Sequence, residues 1–140
     1  MISIRLANDR DVEDLCSLDL IAVREKKRRE FIGRSVASNT CYVAVANNEV
    51  IGYGVLNYTF FGNGSIDMLY VHSDHRRRGA AEALLRYLES LCETPKLFIT
   101  TNLSNLAMQS LLVKLGYALS GVIHNLDEGD PELVYFKRLR

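Results

Sequence analysis

The chain has no excess of charge of either sign. Its 17 Lys and Arg residues balance 17 Asp and Glu, for a formal net charge of zero. A general nucleic-acid binder needs a basic balance to meet phosphates, so no nucleic-acid partner is expected. No apolar run approaches the ~20 residues that cross a bilayer, and no basic-then-apolar signal pattern opens the sequence. No membrane partner is expected, and these absences point to a cytoplasmic location. Cysteine is scarce. Cys16, Cys41 and Cys92 each sit in apolar surroundings, and no two have metal-ligand spacing. They read as reduced core thiols. His72, His75 and His124 form no metal motif either. There is no repeat, low-complexity segment or linker, so residues 1–140 are expected to form one domain with its own core.

With the total charge at zero, local clusters carry the information. One stretch organises the rest, from Ile66 to Leu88. Residues 66–71 are a short apolar run of strand length that holds one carboxylate, Asp67. Ala81, Leu84, Leu85, Leu88, Leu91 and Cys92 recur at helical spacing on one stripe. Between strand and helix lies a basic turn containing glycine. A helix start offers unpaired N–H groups and partial positive charge. Arg76, Arg77 and Arg78 add full charges there, and Gly79 allows close backbone approach. Such a turn suits a phosphate or pyrophosphate, although a triple arginine can also be a solvated corner.

The remaining elements follow in order. Residues 2–6 read as a strand, and Asn8 or Asp9 as the cap of a helix with Val12, Leu15, Cys16, Leu18 and Ala22 on its buried stripe. Residues 24–29 are nearly all charged and are expected to be exposed. Phe31, Ile32 and Val36 mark a second short helix. Residues 40–46 and 49–60 are two strands joined at Asn47-Asn48, a pair that tolerates positive φ. Gly52 and Gly54 in the second strand imply a bulge or a close backbone approach. A turn at residues 62–64 leads to the central strand, completing a three-stranded antiparallel meander. Pro95 stops the central helix, and residues 96–101 form a strand parallel to the central one. A further helix carries Leu106, Met108, Leu111, Leu112 and Leu115, closed by Gly116. Residues 117–125 and 133–139 are the last strands, joined by an acidic loop at 127–132. The class is α+β, with a mixed, mostly antiparallel sheet of about seven strands and about four helices.

This order of elements, with two motifs, resembles the GNAT superfamily of acetyl-CoA-dependent N-acetyltransferases over essentially the whole length. The family's Arg/Gln-x-x-Gly-x-Gly/Ala turn is matched by Arg76-Arg77-Arg78-Gly79-Ala80-Ala81. Its second motif, Asn-x-x-Ala-x-x-Leu-Tyr-x-Lys-x-Gly-Phe, is matched from Asn105 to Tyr117. The resemblance implies central strands that splay apart for the coenzyme arm. It implies that backbone N–H groups of Arg76, Arg77, Arg78, Gly79, Ala80 and Ala81 hold the coenzyme A pyrophosphate. Leu69 and Val71 would pair with the pantetheine arm through their backbones, and Asn105 would contact that arm. A backbone N–H near Leu69 would polarise the thioester carbonyl. The implied reaction is direct attack of a primary amine, of a small molecule or a protein, on acetyl-CoA within a ternary complex.

Two positions bear on the chemistry. Asp67 shares a strand face with Leu69 and Val71 and could act as general base or substrate contact, or be an ordinary strand carboxylate. Where the family often carries a tyrosine that protonates the leaving thiolate, this chain has Leu112. Tyr117, nearby, falls on a core phenylalanine position of the motif. That departure keeps a second function in view, an acyl-CoA-binding sensor with little catalysis. A phosphate-binding protein unrelated to coenzyme A is a third. Tyr58, Phe60 and Phe61 could line a substrate cleft, but such residues more often fill a core or a dimer contact, so a homodimer is also among the expectations. The acidic loop could attract a cationic amine or simply be solvated, and the sequence has no readable code for the acceptor.

Overall fold

The computed structural model describes residues 1–76 and 78–140. Its elements are β1 (Ile2–Leu6), α1 (Asp11–Leu18), α2 (Leu20–Arg24), α3 (Lys26–Ala37), β2 (Cys41–Ala46), β3 (Glu49–Phe60), β4 (Asn63–Val71), a 3-10 turn (Ser73–His75), α4 (Ala80–Leu91), β5 (Lys96–Asn102), α5 (Leu106–Lys114), β6 (Ala118–Ile123) and β7 (Glu132–Arg138). The strands make one seven-stranded sheet in the order β1-β2-β3-β4-β5-β7-β6. The β4–β5 pair is parallel, from Gly64 opposite Leu97 to Ile66 opposite Ile99. The pairs β1–β2, β2–β3, β5–β7 and β6–β7 are antiparallel. By contacts the chain forms two compact units, 1–56 with 68–91, and 57–67 with 92–140.

In the first unit, β2 separates two cores because its side chains alternate. Val43 faces Leu15, Ala22, Ile32, Val36 and Tyr53, while Ala44 faces Ile51, Val71, Ala80 and Leu84. The β2–β3 turn is at Asn47-Asn48, both at positive φ as expected. Gly52 is a close backbone approach. A Cβ there would lie 2.6 Å from the Tyr70 carbonyl oxygen and 3.2 Å from the Val71 Cα. Both are main-chain atoms that cannot swing aside. Gly52→Ala is therefore expected to destabilise the protein by about 1–3 kcal/mol, seen as a lower urea midpoint at unchanged slope.

The second unit rests on β5 and β7. Phe98 lies opposite Phe136 in the register, with ring centroids 5.8 Å apart, and Phe60 adds a third ring 4.8 Å from Phe98. A Cβ at Gly64 would press on the Cys92 sulfur, so any larger residue there requires the Cys92 side chain to move. Asn105 caps α5, its side-chain oxygen accepting from the Met108 N–H at 3.1 Å, and Gly116 at φ +92° closes that helix.

Several expectations need correction. There are five α-helices among the described residues, because the first expected helix breaks at Asp19, whose side chain caps a new helix by accepting from the Ile21 and Ala22 N–H groups. Neither Asn8 nor Asp9 is the N-cap of α1. Asn8 Oδ1 accepts from the Arg10 N–H instead, and that cap position belongs to Arg10. The turn before β4 is Phe61-Gly62, both at positive φ, rather than residues 62–64. On α4 the buried residues are Ala80, Leu84, Leu85 and Leu88, with Ala81 only half-buried and Leu91 exposed. Residues 24–29 are not uniformly exposed. Arg28 is drawn inward by Asp19, and Arg29 donates to the Ala22 carbonyl at 2.8 Å.

Candidate functional site

The basic turn begins where β4 ends. The His72 N–H donates to the Ile51 carbonyl at 2.8 Å, the last rung of β4 on β3. His72 Nδ1 then accepts from the Asp74 N–H at 3.2 Å, which starts the 3-10 turn. Gly79 stands before α4 at φ +83°, a conformation L side chains rarely adopt, and a Cβ there would meet no described atom within 4 Å. The first bond of α4 runs from the Ala83 N–H to the Gly79 carbonyl at 2.9 Å. The N–H groups of Gly79, Ala80 and Ala81 therefore have no acceptor within the helix. Arg78 is exposed beside them and, with Gly79, Ala83 and His75, lines a cavity of about 290 Å³. Arg77 lies outside the described residues. What the turn offers is open space, undirected N–H donors and the positive end of a 12-residue helix, which together can hold an anionic group.

Leu69 and Val71 sit on the strand leading into this turn. Since His72 bonds toward β3, alternation turns the backbone groups of Val71 and Leu69 the other way. The Val71 carbonyl is already engaged, accepting from Arg76 Nε at 3.0 Å. The Arg76 guanidinium also lies over the Tyr70 ring, 5.7 Å from its centroid. Arg76 thus folds back on the strand, which leaves the Val71 N–H and the backbone of the turn as the groups available to a ligand.

The other candidates lie in the second unit. Asp67 is exposed in β4, and its carboxylate accepts from Asn57 Nδ2 at 2.8 Å and Ser65 Oγ at 3.0 Å. Asn105 spends its side-chain oxygen on the cap of α5. Leu112 is fully buried. In the acidic loop, Asp127 accepts from Asn102 Nδ2 at 2.9 Å, and Asp130 accepts from the Ser104 N–H and hydroxyl at 3.0 and 2.6 Å. These two carboxylates hold the loop to residues 102–104. Phe60 is packed against Phe98, whereas Phe61 is 90% exposed. All three cysteines are free thiols. Burial pushes the Cys41 thiol up to about 12, with the Asp11 charge adding to the effect, which leaves it inert near neutral pH.

One cluster is not anticipated by the sequence reading. Asp19 is completely buried. It accepts from Tyr53 Oη at 2.6 Å, from Arg28 at 2.8 Å and from two backbone N–H groups at the start of α2. Burial, reinforced by the hydrogen bond to Asp19, raises the Tyr53 phenol far above its ordinary value, so it stays a donor. The available signal was the carboxylate itself, between Leu18 and Leu20 on an otherwise apolar helical run.

Comparison with known proteins identifies the fold. Residues 10–117 match the model of the acetyltransferase (GNAT) family, and the chain belongs to that family. A crystal structure of a GNAT-family acetyltransferase from Bacillus cereus is 31% identical, with a TM-score of 0.92 over 99% of this chain and 97% of that one. Streptothricin acetyltransferase of Escherichia coli is 27% identical over 100 residues, 68% of this chain and 58% of that protein. The chain thus matches little more than half the length of that relative. A Bacillus anthracis protein described as a streptothricin acetyltransferase, solved in complex with acetyl coenzyme A, is 14% identical over 99% of each chain with a TM-score of 0.78. At that identity the likeness is one of fold.

Proposed function

We propose that this protein is an acetyl-CoA-dependent N-acetyltransferase that acts on a primary amine, with both substrates bound together. The observation that carries this is the turn before α4, where Gly79 at φ +83° leaves open space beside N–H groups without helical acceptors. Family membership supplies the chemical class of the anion, the pyrophosphate of coenzyme A. Backbone groups of Arg76 to Ala81 hold it, with Arg77 included on the strength of the motif alone. The N–H groups of Leu69 and Val71, turned away from β3, orient the pantetheine arm. Acetyl-CoA supplies the activated acetyl group. The Leu69 N–H donates to the carbonyl oxygen as charge develops there, and Asp67 takes the proton from the amine.

The acceptor is an amine of a small molecule or of a protein. The Escherichia coli relative, named for an antibiotic, favours the small molecule. A cytoplasmic location is in keeping with three free thiols, and no helix among the described residues is long and apolar enough to cross a membrane. A homodimer contact is best served by exposed Phe61.

Leu112 favours one further reading, a coenzyme-binding sensor of the same fold. It is buried without a hydroxyl where the family often has a phenol. An assay of free thiol release with a panel of amines separates the two. Amine-dependent release supports the transferase, and tight coenzyme binding without any release supports the sensor.

The turn itself makes a prediction. Gly79→Asp sets a side chain and a negative charge where the pyrophosphate would lie, in a backbone conformation that disfavours it. Acetyl-CoA affinity is expected to fall at least about tenfold, or ~1.4 kcal/mol. A folded variant with an unchanged dissociation constant would remove the pyrophosphate from this turn.

A further inference from the structure

Resting on the coenzyme assignment above, we propose that Tyr70 is a positioning residue. It ties the coenzyme turn to α2, so that coenzyme on the turn fixes the surface α2 offers to the acceptor. The links are continuous and lie in one compact unit. Arg76, from the turn, holds the Val71 carbonyl at 3.0 Å and covers the Tyr70 ring. Tyr70 Oη accepts from the N–H of Leu20, the first residue of α2, at 3.1 Å. The Tyr70 ring also leans on Tyr53, 6.2 Å between centroids, and Tyr53 holds Asp19, the cap of the same helix.

A five-residue helix has too few internal bonds to hold its own place. The position of α2 is set from outside: Ala22 is buried in the core, Arg29 holds its carbonyl, and the first turn is tied by two polar anchors of different character. Asp19 is buried and satisfied by four donors, so that anchor is permanent. Tyr70 is only half-buried, and its ring is steadied by Arg76, whose side chain holds the Val71 carbonyl and whose own N–H bonds the Ser73 carbonyl at 3.5 Å at the start of the turn. An anion held by the turn's backbone restrains the backbone of Arg76, the Arg76 side chain restrains the Tyr70 ring, and the phenol oxygen restrains Leu20. The surface so controlled is apolar. Leu20 is 53% exposed and Val23 57% exposed on α2, at no evident gain to folding. Coupling between two sites is reciprocal, so an acceptor lying on α2 would in turn tighten the coenzyme.

The test is amide hydrogen exchange on the whole protein, with and without saturating acetyl-CoA, for wild type and Tyr70→Phe. The informative amides are Val23 and Glu25, which donate within α2 to the Asp19 and Ile21 carbonyls at 3.1 and 2.8 Å. The substitution leaves those acceptors in place. In wild type, acetyl-CoA is expected to slow exchange at residues 78–83 and at Val23 and Glu25, each by roughly fivefold or more. In Tyr70→Phe the turn keeps its protection, and the effect on α2 drops below about twofold. Protection of the turn alone in wild type would overturn the coupling and leave the coenzyme assignment standing. Undiminished protection of α2 in Tyr70→Phe would overturn the role of Tyr70. No protection at either place would overturn the coupling and the coenzyme assignment together.

Discussion

Replacing Asp19 with alanine is expected to destabilise the protein by about 3–5 kcal/mol, the cost of breaking a buried ion pair from one side. The carboxylate is wholly buried and takes four hydrogen bonds. Without it Arg28, whose side chain is only 18% exposed, keeps a charge with no counter-ion at 2.8 Å. The buried Tyr53 hydroxyl loses its acceptor, and α2 loses its cap, itself worth ~1 kcal/mol. The melting temperature should fall by roughly 10–20 °C for a chain of this size. Asp19→Asn should cost less, because an amide oxygen can still cap α2 while the charge on Arg28 stays unanswered. If Asp19→Ala melts within about 3 °C of wild type, the cluster is not an anchor.

The second large effect is catalytic. Asp67→Asn keeps the shape of the side chain and removes the proposed base. Turnover, measured with the amine that the thiol-release panel identifies, is expected to drop about 10²-fold or more. Acetyl-CoA affinity should stay within about twofold, because binding is assigned to the turn and the strand backbone. The loss should shrink at high pH, where more of the amine is already neutral and needs no base. Asp67 is exposed, so the fold should tolerate the change within about 0.5 kcal/mol. A raised Michaelis constant at constant turnover would instead make Asp67 a contact for a cationic acceptor. If neither constant moves by more than about twofold, Asp67 is a strand carboxylate held by Asn57 and Ser65.

The elements that carry the turn before α4 were legible because their signals are local. The alternation of residues 66–71, the helical stripe of Leu84, Leu85 and Leu88, and Asn47-Asn48 at a two-residue turn each depend on neighbours in sequence. Gly52 announced a close approach, though only the fold shows that the Tyr70 carbonyl is what it approaches. What the sequence hid was every long-range polar choice. Leu15 to Ala22 has the period of one helix, and nothing local says that Asp19 will meet Tyr53, 34 positions away, and break it. Arg28 stood in a run of charges and read as solvated for the same reason, since its partner is defined by the fold. Arg76 read as a phosphate charge by composition, yet its side chain turns back to Val71 and Tyr70, so that the proposed anion is left to the turn's backbone. The acceptor was not legible at all, because side chains that face it obey no period and no motif.

The central claim is that the turn before α4 binds acetyl-CoA. Calorimetric titration of acetyl-CoA into the wild-type protein tests it most directly, with Gly79→Asp titrated alongside. One saturable site with a dissociation constant between about 1 μM and 1 mM is expected, the range in which enzymes hold their substrates. It should weaken at least about tenfold in the variant. Absence of saturable heat in the wild type at millimolar acetyl-CoA, from a protein shown to be folded, would contradict the account.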